Sequence, residues 1–402
     1  MRPGGKGVNA ESKPAPTHSP PLARARAAAV TIAAASAAIE QARELPADVL
    51  SAMHAERLFR LTLPKALGGD ELGPAELAQV TMCIAAADAS AAWCLGQSFG
   101  CAMSAAFLDD AVAEQVFGPA NAVLAWGAGA QGHATAVEGG YRVSGKWRFA
   151  SGGKHATWLG GHCKVFEADG SKRRDASGKH VDRTVLVRRE TAEIADDWHV
   201  MGLRGTRSEG YALDDVFVPD DYTLNREDPS ECRQPAPLFR FPTTNVYACA
   251  FSGVALGIAR GALDDLTSLA STKTARGART SLRESPVFQT ELAELEAQWG
   301  ASHAYQQSTI QEIWKQVVAG GSLAMDDRAR IRLATTYAIG QSTQIVQAVY
   351  RLAGSTAIFQ AEPFERRFRD MHAVSQQVQG RRTNFETVGR YLLGYEADTV
   401  FM

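Results

Sequence analysis

Two phrases carry side chains that could do chemistry together. Residues 139–152 read Gly-Gly-Tyr-Arg-Val-Ser-Gly-Lys-Trp-Arg-Phe-Ala-Ser-Gly, and residues 364–372 read Phe-Glu-Arg-Arg-Phe-Arg-Asp-Met-His. The alternation in the first predicts a hairpin, Tyr141–Val143 and Trp147–Phe149 around a turn at Ser144-Gly145, that ends on an exposed aromatic, Phe149, and an exposed hydroxyl, Ser151. A hydroxyl both donates and accepts hydrogen bonds, so beside a ring it can orient a bound group. The same residue types are equally compatible with Phe149 in the core and Ser151 in a turn. The second phrase reads as the start of a C-terminal helix rich in Arg, whose guanidinium groups grip phosphates and carboxylates. No Gly-x-Gly-x-x-Gly follows a strand and opens a helix in a βαβ setting, so a Rossmann dinucleotide site is not indicated.

The elements that must position these phrases fall in the order helical, β, helical. After a Pro-, Gly- and Ser-rich tail over residues 1–21, expected to be disordered, residues 22–120 are helical in pattern. Pro46 opens a short helix, Pro64 and Gly68-Gly69 break the chain, helix 74–87 begins on a first-turn proline, and Asp88 can cap the next helix, which carries Trp93 and Phe99. Residues 121–228 change to β patterning, with further strands at Thr184–Val187 and Tyr211–Pro219 and a polar loop over 169–183. Residues 229–402 return to helices, over 243–271, from Pro286, over 327–353 and from Pro363, enough for a four-helix bundle. The fold class is therefore α+β. A net charge of −2 argues against nucleic acid and anionic membrane as partners, and no apolar run is read as membrane-spanning. Six scattered Cys without a C-x-x-C pair fit reduced thiols in a cytoplasmic protein, with no metal site.

That order and those phrases resemble the acyl-CoA dehydrogenase fold: an N-terminal helical domain, a central β-barrel-like domain and a C-terminal four-helix bundle. Leu58–Leu61 through Gly68-Gly69, Trp198–Thr206 and Asp215–Pro219 fall in the same order as the family's phrases, so the resemblance covers about residues 45 to 396. It implies a homotetramer that binds FAD or FMN. It places Trp126 and Gly127, in the loop Trp126–Gly132, along the flavin, and Phe149 and Ser151 near its N5 edge. Arg279 and Ser281 fall where the family reaches the flavin phosphates from a neighbouring subunit, with Arg276 and Arg283 as close alternatives. Arg369 and Asp370 match an Arg-Asp pair that sets the last helix beside the cofactor or serves as a structural ion pair.

The family divides by its base. An acyl-CoA dehydrogenase removes an α-proton with a carboxylate while hydride leaves for the flavin. The two places where the family keeps that carboxylate align here with Val378 and Tyr247, and Glu386 stands eight residues beyond the first. The C-terminal phrases resemble instead the two-component monooxygenases, in which an NAD(P)H-dependent reductase supplies reduced flavin. O2 then forms a C4a-hydroperoxyflavin that hydroxylates a small aromatic or heteroaromatic metabolite. Relatives carry a His where this chain has Gln377, and another in the stretch occupied by Gly100-Cys101. Gln377 could orient but not deprotonate. His372 is the nearest other base, about 140° from Gln377 on an ideal helix; a helix-surface role suits it as well. His133 and His155 flank the flavin-lining phrases. Arg207 is expected to bind an anionic substrate, to stabilise a reduced-flavin anion, or to be a solvated surface residue. The competing expectations are an acyl-thioester dehydrogenase with an unusual base and a non-enzymatic scaffold.

Overall fold

The computed structural model describes residues 18–274, 277, 279–396 and 402. Most of the expected N-terminal tail, residues 1–17, and the alternative phosphate ligand Arg276 lie outside the described residues.

Five helices come first: α1 (Pro21–Ala42), α2 (Ala47–Ala55), α3 (Pro74–Ala87), α4 (Ala89–Ala102) and α5 (Asp110–Phe117). Asp88 separates α3 from α4. Its extended backbone stops α3, and its carboxylate accepts the Ala91 N–H as the cap of α4 at 2.9 Å. The Ser36 hydroxyl of α1 donates to the same buried carboxylate at 2.7 Å, so one residue fixes three helices.

The middle of the chain forms β1 (Leu124–Trp126), β2 (Gly132–Val137), β3 (Gly140–Trp147), β4 (Trp158–Phe166), β5 (Asp182–Arg188), β6 (Glu193–Ile194), β7 (Tyr211–Pro219) and β8 (Thr223–Leu224). The strands make one mixed sheet in the order β6-β7-β3-β2-β4-β5-β8, with β1 branching in parallel from β4. The barrel-like expectation thus resolves into a sheet whose hydrogen-bonded path runs open from β6 to β8.

The expected hairpin at Ser144-Gly145 is corrected. Residues 140–147 are one strand, the turn lies at Glu138-Gly139 with Gly139 at φ +74°, and the register merely shifts between Val143 and Gly145. The reason is Trp147. Its fully buried indole stacks on Tyr211 and lies across Gly132, Gly145 and Gly161, where any Cβ would strike the ring. Gly145 leaves room for an indole rather than making a turn.

The rest is helical: α6 (Thr243–Ala270), α7 (Pro286–Val318), α8 (Met325–Ala353), α9 (Pro363–Ser375) and α10 (Thr383–Leu392). α6 is the central helix. Gly253 and Gly257 lie one turn apart, and a Cβ on either would collide with the backbone oxygens of Ala78 and Met82, so α3 packs almost backbone to backbone on α6. The Thr81 hydroxyl seals that contact by donating to the Ala250 carbonyl at 2.8 Å. Contrary to the sequence reading, two helices, α1 and α6, are long and apolar enough to cross a membrane; in α6, 89% of that stretch is buried inside the protein, as befits a core helix.

Candidate active site

Where the sheet meets α4, α6 and the end of α9 there is a cavity of about 740 Å³. Trp126 at the end of β1, with Gly127, Ala128 and Gly129, forms one wall; Phe149 and Ser151 follow β3; Trp198 to Leu203 close one side. Trp93 and Gln97 come from α4, Thr243, Thr244 and Tyr247 from the first turns of α6, and His372 to Gln379 from the end of α9. The backbone around it is held in sparsely populated conformations. Phe149 (φ +66°) and Leu203 (φ +53°) line the cavity, and Arg207 (φ +41°) precedes the lining residue Ser208. Such strain persists where the surroundings over-determine it, and it collects at sites of function. Phe149 is 56% exposed and meets Trp198 edge-on at 6.1 Å, presenting an apolar face to the cavity.

Ser151 is not exposed, contrary to the sequence expectation. It is 6% accessible and sits in a hydroxyl chain. Trp93 Nε1 donates to Ser151 Oγ at 3.0 Å, Ser151 Oγ pairs with Ser208 Oγ at 2.7 Å, Ser208 Oγ pairs with Thr206 Oγ1 at 2.7 Å, and Thr206 donates to the Leu203 carbonyl at 2.8 Å. The terminal donation to Leu203 turns the chain around. With the Thr206 proton committed to Leu203 and the indole N–H committed to Ser151, Ser208 gives its proton to Thr206 and Ser151 gives its proton to Ser208. Burial behind Trp93 explains why spacing could not reveal this.

At the other end, Tyr247 is fixed by Gln97, whose Nε2 donates to the phenol oxygen at 3.1 Å while the phenol O–H faces the Gln97 carbonyl at 3.3 Å. Its ring continues the stack Trp93–Phe251–Tyr247, and burial holds its pKa well above the ordinary tyrosine value. A Cβ at Gly100 would strike the Tyr247 ring. Gly100-Cys101 is thus the seat of Tyr247, and burial raises the Cys101 thiol to about 12. His162 on β4 also lines this end. Its Nδ1 meets Thr184 Oγ1 at 2.8 Å, and burial, with Arg226 nearby, lowers its pKa to about 3, so the ring is neutral. Arg226 lies over the Trp126 ring, 4.2 Å from its centroid.

Gln377 and His372 both face the cavity but not along one helix, as expected from sequence. α9 ends at Ser375, Gln377 is extended (ψ 154°), and its side-chain oxygen accepts the Gln379 N–H at 2.7 Å, capping a 3-10 turn at Val378–Gly380. The His372 ring packs on Phe368 and lies 3.3 Å from Gln347 Nε2. Behind this wall Arg332 is buried, donating to the side chains of Gln379 and Thr244, and burial lowers its pKa to about 10.

Other expected residues stand elsewhere. Arg207 does not line the cavity; partly exposed, it is bound by Glu44 at 2.8 Å and Glu209 at 2.9 Å, so its charge is already paired. Arg369 and Asp370 are not paired with each other, because consecutive helix positions diverge by about 100°. Arg369 bonds Glu365, Glu40 and the Met201 carbonyl and lines a separate cavity of about 550 Å³ beside α1. Asp370 is buried and accepts the Leu203 N–H at 2.6 Å, fastening α9 to the strained segment of the cavity wall. Arg279 is exposed on the loop after α6 and lines neither cavity; Ser281 spends its hydroxyl and N–H on Glu284. His133 stacks on Phe166, and His155, lowered to about 4 by burial, packs on Phe59; neither lines the cavity. Glu386 is exposed on α10. Sequence reading missed Trp93, Gln97, His162 and Arg226. For His162 the signal was present: Gly160-Gly161 ahead of it in a strand marks a close approach, here of Trp147.

A family model described as Acyl-CoA dehydrogenase, N-terminal domain, matches residues 22–119, and one described as Acyl-CoA dehydrogenase, C-terminal domain, matches residues 249–380. An indole-3-acetate monooxygenase of Pseudomonas putida is 28% identical over 88% of this chain and 89% of its own length. The oxygenase component of an FADH(2)-dependent resorcinol hydroxylase from a Rhizobium species is 29% identical over 89% and 90%. Among solved structures, the 3-HSA hydroxylase of Rhodococcus sp. RHA1 superposes with a TM-score of 0.86 at 24% identity, over 95% of this chain and 98% of that one.

Proposed function

The chain belongs to the acyl-CoA dehydrogenase family, and from that premise we propose that it is the oxygenase component of a flavin-dependent monooxygenase, hydroxylating a small aromatic or heteroaromatic molecule. One observation carries the choice within the family. Among the described residues that line the cavity, the single carboxylate is Glu227, which is exposed and acts on Arg328. A dehydrogenase needs a carboxylate against the substrate to take the α-proton. This wall offers indoles, a phenol, amides and hydroxyls, the lining of a site that encloses a flat ring.

The residues suit a flavin ring. Phe149 and Trp198 give it apolar contact, Gly127 to Gly129 allow backbone approach, and the Ser151–Ser208 hydroxyls are aligned by the chain described above. Trp126, Phe149 and Trp198 would hold the ring of a reduced FMN or FAD, which would supply the two electrons needed for O2 to give one oxygen atom to the substrate and the other to water. The protein's part is to keep water out with Trp93, Trp126, Phe149 and Trp198, and to hold the substrate ring against Tyr247 and Gln97. Neutral His162 offers Nε2, the ring nitrogen free of Thr184, as a hydrogen-bond acceptor that orients the substrate; burial, which lowers its pKa to about 3, keeps it from taking the proton itself. Gln377 orients by hydrogen bonding and His372 stands at the other wall. An NAD(P)H-dependent reductase delivers the flavin. The protein works as a cytoplasmic homotetramer in which Arg279 and Ser281, remote from the cavity of their own chain, face the flavin of a neighbouring copy. The six free thiols fit a reducing compartment.

The test supplies photoreduced FMN or FAD and O2 to the purified protein with a set of phenols, indoles and aromatic acids. Mass spectrometry under 18-O2 then follows the product. One labelled oxygen in the product, dependent on reduced flavin, is the expected result. Flavin bleaching by an acyl thioester without O2, with no labelled product from any aromatic compound, would overturn the reading in favour of a dehydrogenase.

A further inference from the structure

Arg226 is the one arginine at the Trp126 end of the cavity. Its position is peculiar. Nε and Nη1 are buried without a hydrogen-bond acceptor, and among the described residues no carboxylate forms an ion pair with it. Other arginines around the site are satisfied: Arg207 by Glu44 and Glu209, Arg369 by Glu365 and Glu40, Arg204 by Glu40. A buried guanidinium donor without a partner is costly, and the cost is removed by an anion that arrives later. The face of Trp126 holds the plane of the guanidinium without using any N–H.

The surroundings leave it positive. His162 is neutral, and burial keeps the Tyr247 phenol and the Cys101 thiol protonated, so none of them answers the charge. Glu227 is next in sequence, but it is exposed and its charge acts on Arg328. Arg332, behind Thr244 and Gln379, adds a second cation that has no carboxylate partner among the described residues. Arg381, also a lining residue, is exposed beside the Val378–Gly380 turn, where water screens it.

We propose that Arg226 reads an anionic group of the substrate, so that the aromatic ring is held between Trp126, Trp93 and Tyr247 and its carboxylate is bound by the guanidinium. This rests on the monooxygenase reading and narrows its substrate class to aromatic acids. A flavin phosphate has the same chemistry toward a guanidinium, and the experiment separates the two sources.

The FMN-loaded protein is titrated with matched pairs, indole-3-acetate and indole-3-acetamide, phenylacetate and phenylacetamide. The same titrations follow with Arg226→Gln and Arg226→Lys, and FMN affinity is measured for each protein. Binding is read by calorimetry and turnover by product formation. We expect at least one acid to bind at least ten times more tightly than its amide. Arg226→Gln should weaken that acid about 10- to 100-fold with the amide unchanged, the scale of a charge-assisted hydrogen bond. Arg226→Lys should recover part of the preference, which shows that the fold is intact. Equal affinities for acid and amide, no binding by any acid, or an acid preference that survives Arg226→Gln would each overturn the proposal. So would a loss confined to FMN affinity, which would assign the guanidinium to the flavin phosphate. Arg226-dependent acid binding without oxygen transfer would leave this subsite standing while the monooxygenase reading fails, and hydroxylation of neutral aromatics independent of Arg226 would do the reverse.

Discussion

Asp370→Asn separates the two roles a buried acid can have at the cavity wall. Asp370 is fully enclosed, and burial raises its pKa from 3.8 to about 7, against the Leu203 N–H and the charge of Arg366, which favour ionisation. In the unfolded chain the group titrates at the ordinary value. Between the two values the folded protein holds a proton that the unfolded chain has released, so stability is full below about pH 4 and falls as pH rises toward about 7. From about pH 5 to about pH 7, where the folded group is half ionised, the loss is about 2.3 kcal/mol at 1.36 kcal/mol per unit. Asn keeps an oxygen for the Leu203 N–H and cannot ionise. Its extra N–H2 carries a cost that does not vary with pH. Unfolding entropy for 402 residues is on the order of 0.8 kcal/mol per kelvin, so about 2.3 kcal/mol corresponds to about 3 °C. Melting temperatures of the wild type and Asp370→Asn, measured across this range, should therefore diverge by about 3 °C in favour of the variant as pH rises. Parallel curves would show that Asp370 is ionised throughout, and that Arg366 and the Leu203 N–H outweigh its burial.

Ser208→Ala removes the link between Ser151 and Thr206; it should lower stability by about 1–2 kcal/mol in thermal unfolding and lower product yield per reduced flavin, because the Ser151 proton loses its acceptor. Arg207→Ala should cost about 1–3 kcal/mol by leaving the buried Glu209 without its partner, with substrate Kd unchanged within twofold; a loss of substrate affinity would return Arg207 to the site. Gly253→Ala should cost about 1–3 kcal/mol or prevent folding, since its Cβ must displace the α3 backbone, and a variant of wild-type melting temperature would contradict the close packing of α3 on α6.

The starts of α3, α4, α7 and α9 follow from local chemistry: a proline in the first turn or an Asp at the cap acts within four residues, so the sequence is enough to place them. The order helical, β, helical was legible in the patterning, whereas Phe149, Ser151, Tyr247, Gln377 and the Trp126–Gly127 loop, which the structure brings to one cavity, were picked out by the family resemblance and not by local chemistry. What local reading missed depends on groups far apart in the chain. Gly145 makes room for Trp147, which no pattern of alternation distinguishes from a turn. Arg207 is neutralised by Glu44, 163 residues away, so its charge was visible but its partner was not. Ser151 is buried because Trp93 of another layer covers it, and α9 stops before Gln377, which caps the following turn with its own side chain. Arg226 gains its meaning only from what the fold withholds, a carboxylate partner among the described residues. Residue types set which bonds the site can form; the packing of sheet against helices decided which donors were already spent and which remain for a ligand.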